Sequence, residues 1–256
     1  MRIPHWIAIA LASGLGSGCY PVIGDVQERA GQDASSASDA ASDQAGTEAR
    51  VKLVTTALQL PTDQSSIDVA VPAGVIAGDF LLATLYVGSG SSSDVALDQA
   101  PGWTVEAPLE PASCGGFRVW YAYRFVQSGD PSSYSVSFKA SSGPVQGVGL
   151  ALVVYRGVSS TTPFAAKQAK GTAGDDFSLP SLVTAVPDTM LVASFVDGFN
   201  KVGDWKFPAG MSEVMNTAIF AVGQAEQTAA GPCLSGAASS IQGGCGTIFY
   251  AALAHQ

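Results

Sequence analysis

The chain has 256 residues, 47% of them apolar and only 13% charged, which supplies enough material for a sizeable core and excludes intrinsic disorder over most of its length. Its net charge of −9 argues against nucleic acid or an anionic membrane surface as partner, because neither would meet a basic face. The 29 Gly and the many Ser favour strands joined by turns over helices, since both residues cost helix propensity and tolerate turn dihedrals.

Residues 1–18 read as a secretory signal peptide: Arg2 and His5 give a positive end, and Trp6 to Leu15 form an apolar run closed by small residues. That run is too short to span a bilayer. It ends in LGSGC, which resembles the bacterial lipoprotein processing box, although Gly16 stands where that box prefers Leu and Leu15 lies one place further back. The resemblance implies that Cys19 receives lipid and becomes the first mature residue. Ordinary signal-peptidase cleavage, with Cys19 an incidental thiol, is the alternative. Residues 19–50 follow as a disordered acidic tether; its stretch QERAGQDASSASDAASDQAGTEAR holds no aromatic residue and, apart from Thr47, no β-branched one. Such a segment cannot bury enough surface to offset its ordering entropy.

Residues 51–256 form one module in which apolar residues recur at a period of two, separated by Gly, Pro, Asp and Ser clusters. The pattern predicts strands at Leu53 to Leu60, Ile67 to Val71, Phe80 to Val87, Trp103 to Ala107, Phe117 to Val126, Tyr134 to Phe138 and Gly147 to Tyr155. It predicts more at Phe177 to Val183, Met190 to Asp197, Glu213 to Asn216, Ala218 to Gln227 and Thr247 to Ala254. Segments such as FLLATLYV and GLALVVY are apolar on both faces, which implies central strands under a second layer. The fold expected is all-β, a two-sheet antiparallel β-sandwich.

The order of elements repeats. Asp79 and Asp188 each open an apolar strand after a Pro-containing turn, and Gly102 and Gly210 each precede a strand-initiating Trp103 or Met211. One copy holds too few of these strands to close a sandwich, so two copies are expected to interlock in one domain. The segments VPAGVIAGDFLLATLYV, PGWT, WYAYRF, YSVSF and LVVYRGVSSTTPF look like a poorly characterised class of bacterial and phage-associated extracellular sandwich modules. That resemblance covers most of Ile67 to Gln256 and implies a jelly-roll-like fold and surface display, with no settled activity.

Outside the cytoplasm Cys233 and Cys245, in PCLSGAASSIQGGC, are expected to pair, closing a loop worth about 3 kcal/mol on the entropy model. Cys114 is left as a buried thiol or as a partner for one of the two. Nucleophilic catalysis needs an imidazole, and once the leader is removed only the penultimate His255 remains. No CxxC or HExxH suggests a metal, and Asp175 with Asp176 lacks calcium-loop spacing, so no cofactor and no metal is expected. A carboxylate pair for glycoside hydrolysis stays formally open, although Asp79, Asp130 and Asp188 sit where turn aspartates bond their own backbone.

In FRVWYAYRF, Phe117, Val119, Tyr121, Tyr123 and Phe125 share the face expected to meet the core, while Arg118, Trp120 and Arg124 share the other. An indole between two guanidinium groups is a candidate platform for a sugar; a cation–π pair or a covering loop is the alternative use of the same residues. The expectation is a non-catalytic, lipid-anchored cell-envelope module for recognition or adhesion of glycan or protein. A purely structural envelope lipoprotein and a carbohydrate-active enzyme are the alternatives. The membrane is expected as partner only through the N-terminal lipid.

Overall fold

The computed structural model describes residues 50–88, 95–111, 116–173, 177–198, 205–239 and 244–256. The signal peptide, Cys19, all of the tether but Arg50, Cys114 and the Asp175–Asp176 pair lie outside the described residues. Among the described residues there are strands and no helix. The first copy supplies β1 (Lys52–Thr62), β2 (Ser66–Ala70), β3 (Phe80–Gly88), β4 (Val95–Gln99), β5 (Thr104–Val105), β6 (Phe117–Phe125), β7 (Ser133–Ala140) and β8 (Val148–Arg156). The second supplies β9 (Phe164–Gly171), β10 (Phe177–Ser178), β11 (Val183–Thr184), β12 (Thr189–Asp197), β13 (Ser212–Asn216), β14 (Phe220–Gln227), β15 (Gly231–Pro232), β16 (Ala237–Ala238) and β17 (Gly246–Leu253).

Each copy builds its own five-stranded antiparallel sheet, ordered β1-β8-β3-β6-β5 in the first and β9-β17-β12-β14-β13 in the second. The two orders match strand for strand: β1 with β9, β8 with β17, β3 with β12, β6 with β14 and β5 with β13. The repeat is therefore one of topology as well as of sequence. Gly102 and Gly210, the markers that open the two β5-type strands, both take left-handed φ, 77° and 92°, which a Cβ would strain.

The two sheets pack face to face on a central core that draws Phe80, Leu82, Tyr86, Val119, Tyr121, Val153 and Tyr155 from the first and Met190, Val192, Val196, Phe220, Val222, Phe249 and Leu253 from the second. Tyr121 stacks on Phe249 with centroids 4.8 Å apart, and its hydroxyl shares a 2.8 Å hydrogen bond with Thr247 Oγ1. At the centre Thr84 Oγ1 and Ser194 Oγ lie 2.8 Å apart and 110 positions apart in the chain, so equivalent residues of the two copies bond to each other. A pseudo-twofold axis passes between them.

The outer face of each central sheet is covered as well. Over the first lies the sheet β2-β7-β4, whose Ile67, Val69, Tyr134, Val136 and Phe138 meet Leu81, Leu85, Trp120, Leu150 and Leu152. The strands β1-β8-β3-β6 facing β2-β7-β4 have the order of a jelly roll. The expectation that a single copy could not close a sandwich is thus corrected: β4, whose VALDQ carries too few apolar residues to stand out, completes the first outer layer. Nor do the copies exchange strands; they share a core by stacking. Over the second central sheet the cover shrinks to the two-residue pairs β10·β16 and β11·β15, with Trp205 and Phe207 filling in.

Strand β9 also went unpredicted, because FAAKQAKG has Ala and Lys where β-formers are expected; its seven-residue register with β17 holds it extended. As an edge strand it is protected by its lysines, and Lys167 reaches across to Glu106 to latch the seam between the two sheets.

Candidate functional site

The alternation along β6 is as expected, but its second face is interior. Trp120 is 3% exposed and packs on Phe138 at 5.4 Å between ring centroids. Arg118 donates to the Val95 carbonyl of β4 and pairs with Glu110. Its guanidinium sits 5.9 Å from the Trp120 ring. Arg124 donates to Asp130 Oδ2 at 2.6 Å and lies 3.9 Å over the Tyr134 ring. The candidate ligand residues Trp120, Arg118 and Arg124 are therefore corrected to packing residues, because the β2-β7-β4 layer occupies the face that a two-layer sandwich would leave to solvent. The cation–π alternative describes them better. Trp103 and Trp205 are buried anchors, the first edge-on to Tyr134 and the second against Phe177 and Phe195.

The expected Cys233–Cys245 bridge is likewise absent. Cys233 is a free, buried thiol in the outer core of the second copy, its amide bonded to the Leu182 carbonyl. Cys245 belongs to the central core and carries no free thiol. The second central sheet stands between the two, which is what their closeness in sequence concealed. Burial pushes the Cys233 thiol up from its ordinary value, so it is a poor nucleophile.

The described carboxylates with ion-pair partners are structural. Asp79, 1% exposed, accepts from the Ile76 amide at 2.9 Å and takes two 2.8 Å bonds from Arg156, closing the turn ahead of β3. Asp130 closes the turn after β6 by accepting from the Gln127 amide, from Tyr134 and from Arg124. The Gln127 amide first, with Tyr134 and Arg124 adding, holds its carboxyl below the usual range against the opposing effect of desolvation. Glu106, Glu110 and Glu226 pair with Lys167, Arg118 and Arg50. Among the described residues no group of three His, Cys, Asp or Glu could hold a metal ion.

Three depressions among the described residues lie at the end where the chain enters the sandwich. One groove runs between residues 71–77 and 126–134, and two smaller depressions lie around Glu226–Thr228, one beside Arg50 and Asp188, the other beside Gly210 and Leu234. These grooves are lined by turn backbone together with Ile76 and Tyr134 in the first and Arg50, Glu226 and Leu234 around the other two. Sequence patterning could not find them, because each brings together segments distant in the chain, such as residues 71–77 with 126–134, and Arg50 with Asp188 and Glu226. Comparison with protein-family models, curated proteins and solved structures finds no match for this chain.

Proposed function

We propose that the chain is a non-catalytic, lipid-anchored cell-envelope module whose role is structural, a rigid double sandwich that takes no small-molecule ligand. The observation that carries this reading is the burial of Trp120 and the pairing of half-buried Arg118 and Arg124 with Glu110 and Asp130, which removes the one candidate sugar platform. Pairing of Asp79, Asp130, Glu106, Glu110 and Glu226 with cations counts against a glycosidase, whose two carboxylates must face each other across a cleft. Recognition or adhesion is the second reading. The grooves at the end of the sandwich favour it, and they suit a protein surface better than a glycan, having no exposed indole for stacking.

A glycan array probed with the full chain tests both readings. No glycan is expected to bind; one that binds, and binds equally to a Trp120→Phe variant, would overturn the structural role and place recognition elsewhere on the surface. Anchoring is tested by labelled fatty acid in a host with lipoprotein processing. Label should enter the chain but not a Cys19→Ser variant, and equal labelling of the two sinks the anchor.

A further inference from the structure

The turns that lead into β3 and β12 lie at the same end of the sandwich as the point where the chain enters it. Phe80 opens β3 opposite Tyr155 and Phe125, and Lys52 opens β1 opposite Arg156. In the second copy Met190 pairs with Leu253, Leu253 pairs with Phe164, and the Phe164 ring touches Phe80 at 5.7 Å. Turns 71–79 and 180–188 therefore share an end with Arg50, which itself reaches Glu226 at 3.8 Å.

Large apolar side chains are left uncovered at this end. Ile76 is 55% exposed, Val183 62% and Val186 37%. Ile76 and Val186 stand at the spacing of Thr84 and Ser194, so the pseudo-twofold places an exposed branched aliphatic on the same turn of each copy. The end is also close to neutral, although the chain as a whole carries −9. Here Asp79 pairs with Arg156, Asp130 with Arg124 and Glu226 with Arg50, and the charge of Asp188 is offset by Lys52 at the start of β1.

We infer that this end docks on the bilayer that holds the chain's lipid, with Ile76, Val183 and Val186 entering the interfacial region of zwitterionic lipid. The inference rests on the lipoprotein reading of Cys19. Arg50 follows Cys19 by 31 positions, which limits the distance between them to about 100 Å. The chain outside the sandwich ends on this very face, so the apolar turns stay within reach of the membrane and a weak contact gains the effective concentration of an intramolecular one. Shallow burial of apolar side chains is favourable at the head-group boundary, and paired charges leave little to repel a neutral surface.

The test uses the full-length lipidated chain, methyl-labelled at Ile and Val, on phosphatidylcholine nanodiscs with and without a paramagnetic head group. Mass spectrometry first reads the lipid on Cys19; a chain without it overturns the anchor and the docking together. On a lipidated chain the methyl signals of Ile76, Val183 and Val186 should broaden several-fold more than that of Ile67, and Ile76→Asp with Val183→Asp should abolish the contrast. Uniform broadening on a lipidated chain overturns the docking and leaves the anchor standing.

Discussion

The hydrogen bond between Thr84 and Ser194 is the most direct handle on how the two copies are joined. Both side chains are buried, 2% and 1% exposed, and each hydroxyl is the other's partner across the central interface. Thr84→Val is nearly isosteric and Ser194→Ala removes a single atom, so neither opens a large cavity. Each alone leaves one hydroxyl in the core without a partner, which costs about 1–3 kcal/mol. Removing both polar atoms leaves an apolar contact, and the double variant should fall within about 1 kcal/mol of the parent. The cycle therefore predicts a coupling of about 1–3 kcal/mol, of the sign that makes the double variant more stable than either single one. Urea unfolding followed by tryptophan fluorescence measures it, with the slope m held constant across the four proteins. Additive losses would refute the pseudo-twofold contact, since they would mean that the two hydroxyls do not meet.

Alkali should unfold the protein through its tyrosines. Tyr86 is pushed up to about 12 by burial and then by Asp197, and burial raises Tyr121, Tyr155 and Tyr250 further. A raised folded-state value means the stabilisation is complete below the unfolded value near 10 and is lost as pH climbs through the folded one. Melting temperatures by circular dichroism should hold up to about pH 10 and fall above it; a flat profile beyond that contradicts the burial. Trp120→Ala should cost about 3–5 kcal/mol as a core truncation, where an exposed platform residue would cost almost nothing. Cys233 should resist a thiol reagent in the native chain and react at once in denaturant, and rapid native labelling at that position would contradict its place in the outer core.

The strands that carry runs of large apolar residues were legible in the sequence, and β3, β6, β8, β12 and β17 fall within a residue or two of expectation. The duplication was legible too, because Gly102 and Gly210 mark a shared left-handed turn; Asp79 and Asp188 do not correspond, since at the 110-residue spacing of Thr84 and Ser194 it is Gly78, φ 91°, that stands where Asp188, φ 52°, does. What patterning missed was the number of layers. β4 pairs through VALDQ and β9 through FAAKQAKG, where backbone bonding and neighbours decide and side chains scarcely vote. Missing β4 turned the covered face of β6 into an apparent outer surface, and with it Arg118, Trp120 and Arg124 into an apparent site.

In a two-layer sandwich each sheet keeps one wet face, and alternation separates core residues from those free to bind. Here the inner strands of both central sheets are dry on both sides, the first sheet between Tyr121 and Trp120, the second between Phe249 and Tyr250. Specific contact must then be made by outer layers, edges and ends. The seam between β5 and β9 is closed by Glu106 and Lys167, whereas the end that receives the chain at Arg50 keeps apolar turns and open grooves from both copies. Duplication followed by stacking thus covers one face of each inner sheet with the other copy and leaves a paired set of turns at one pole.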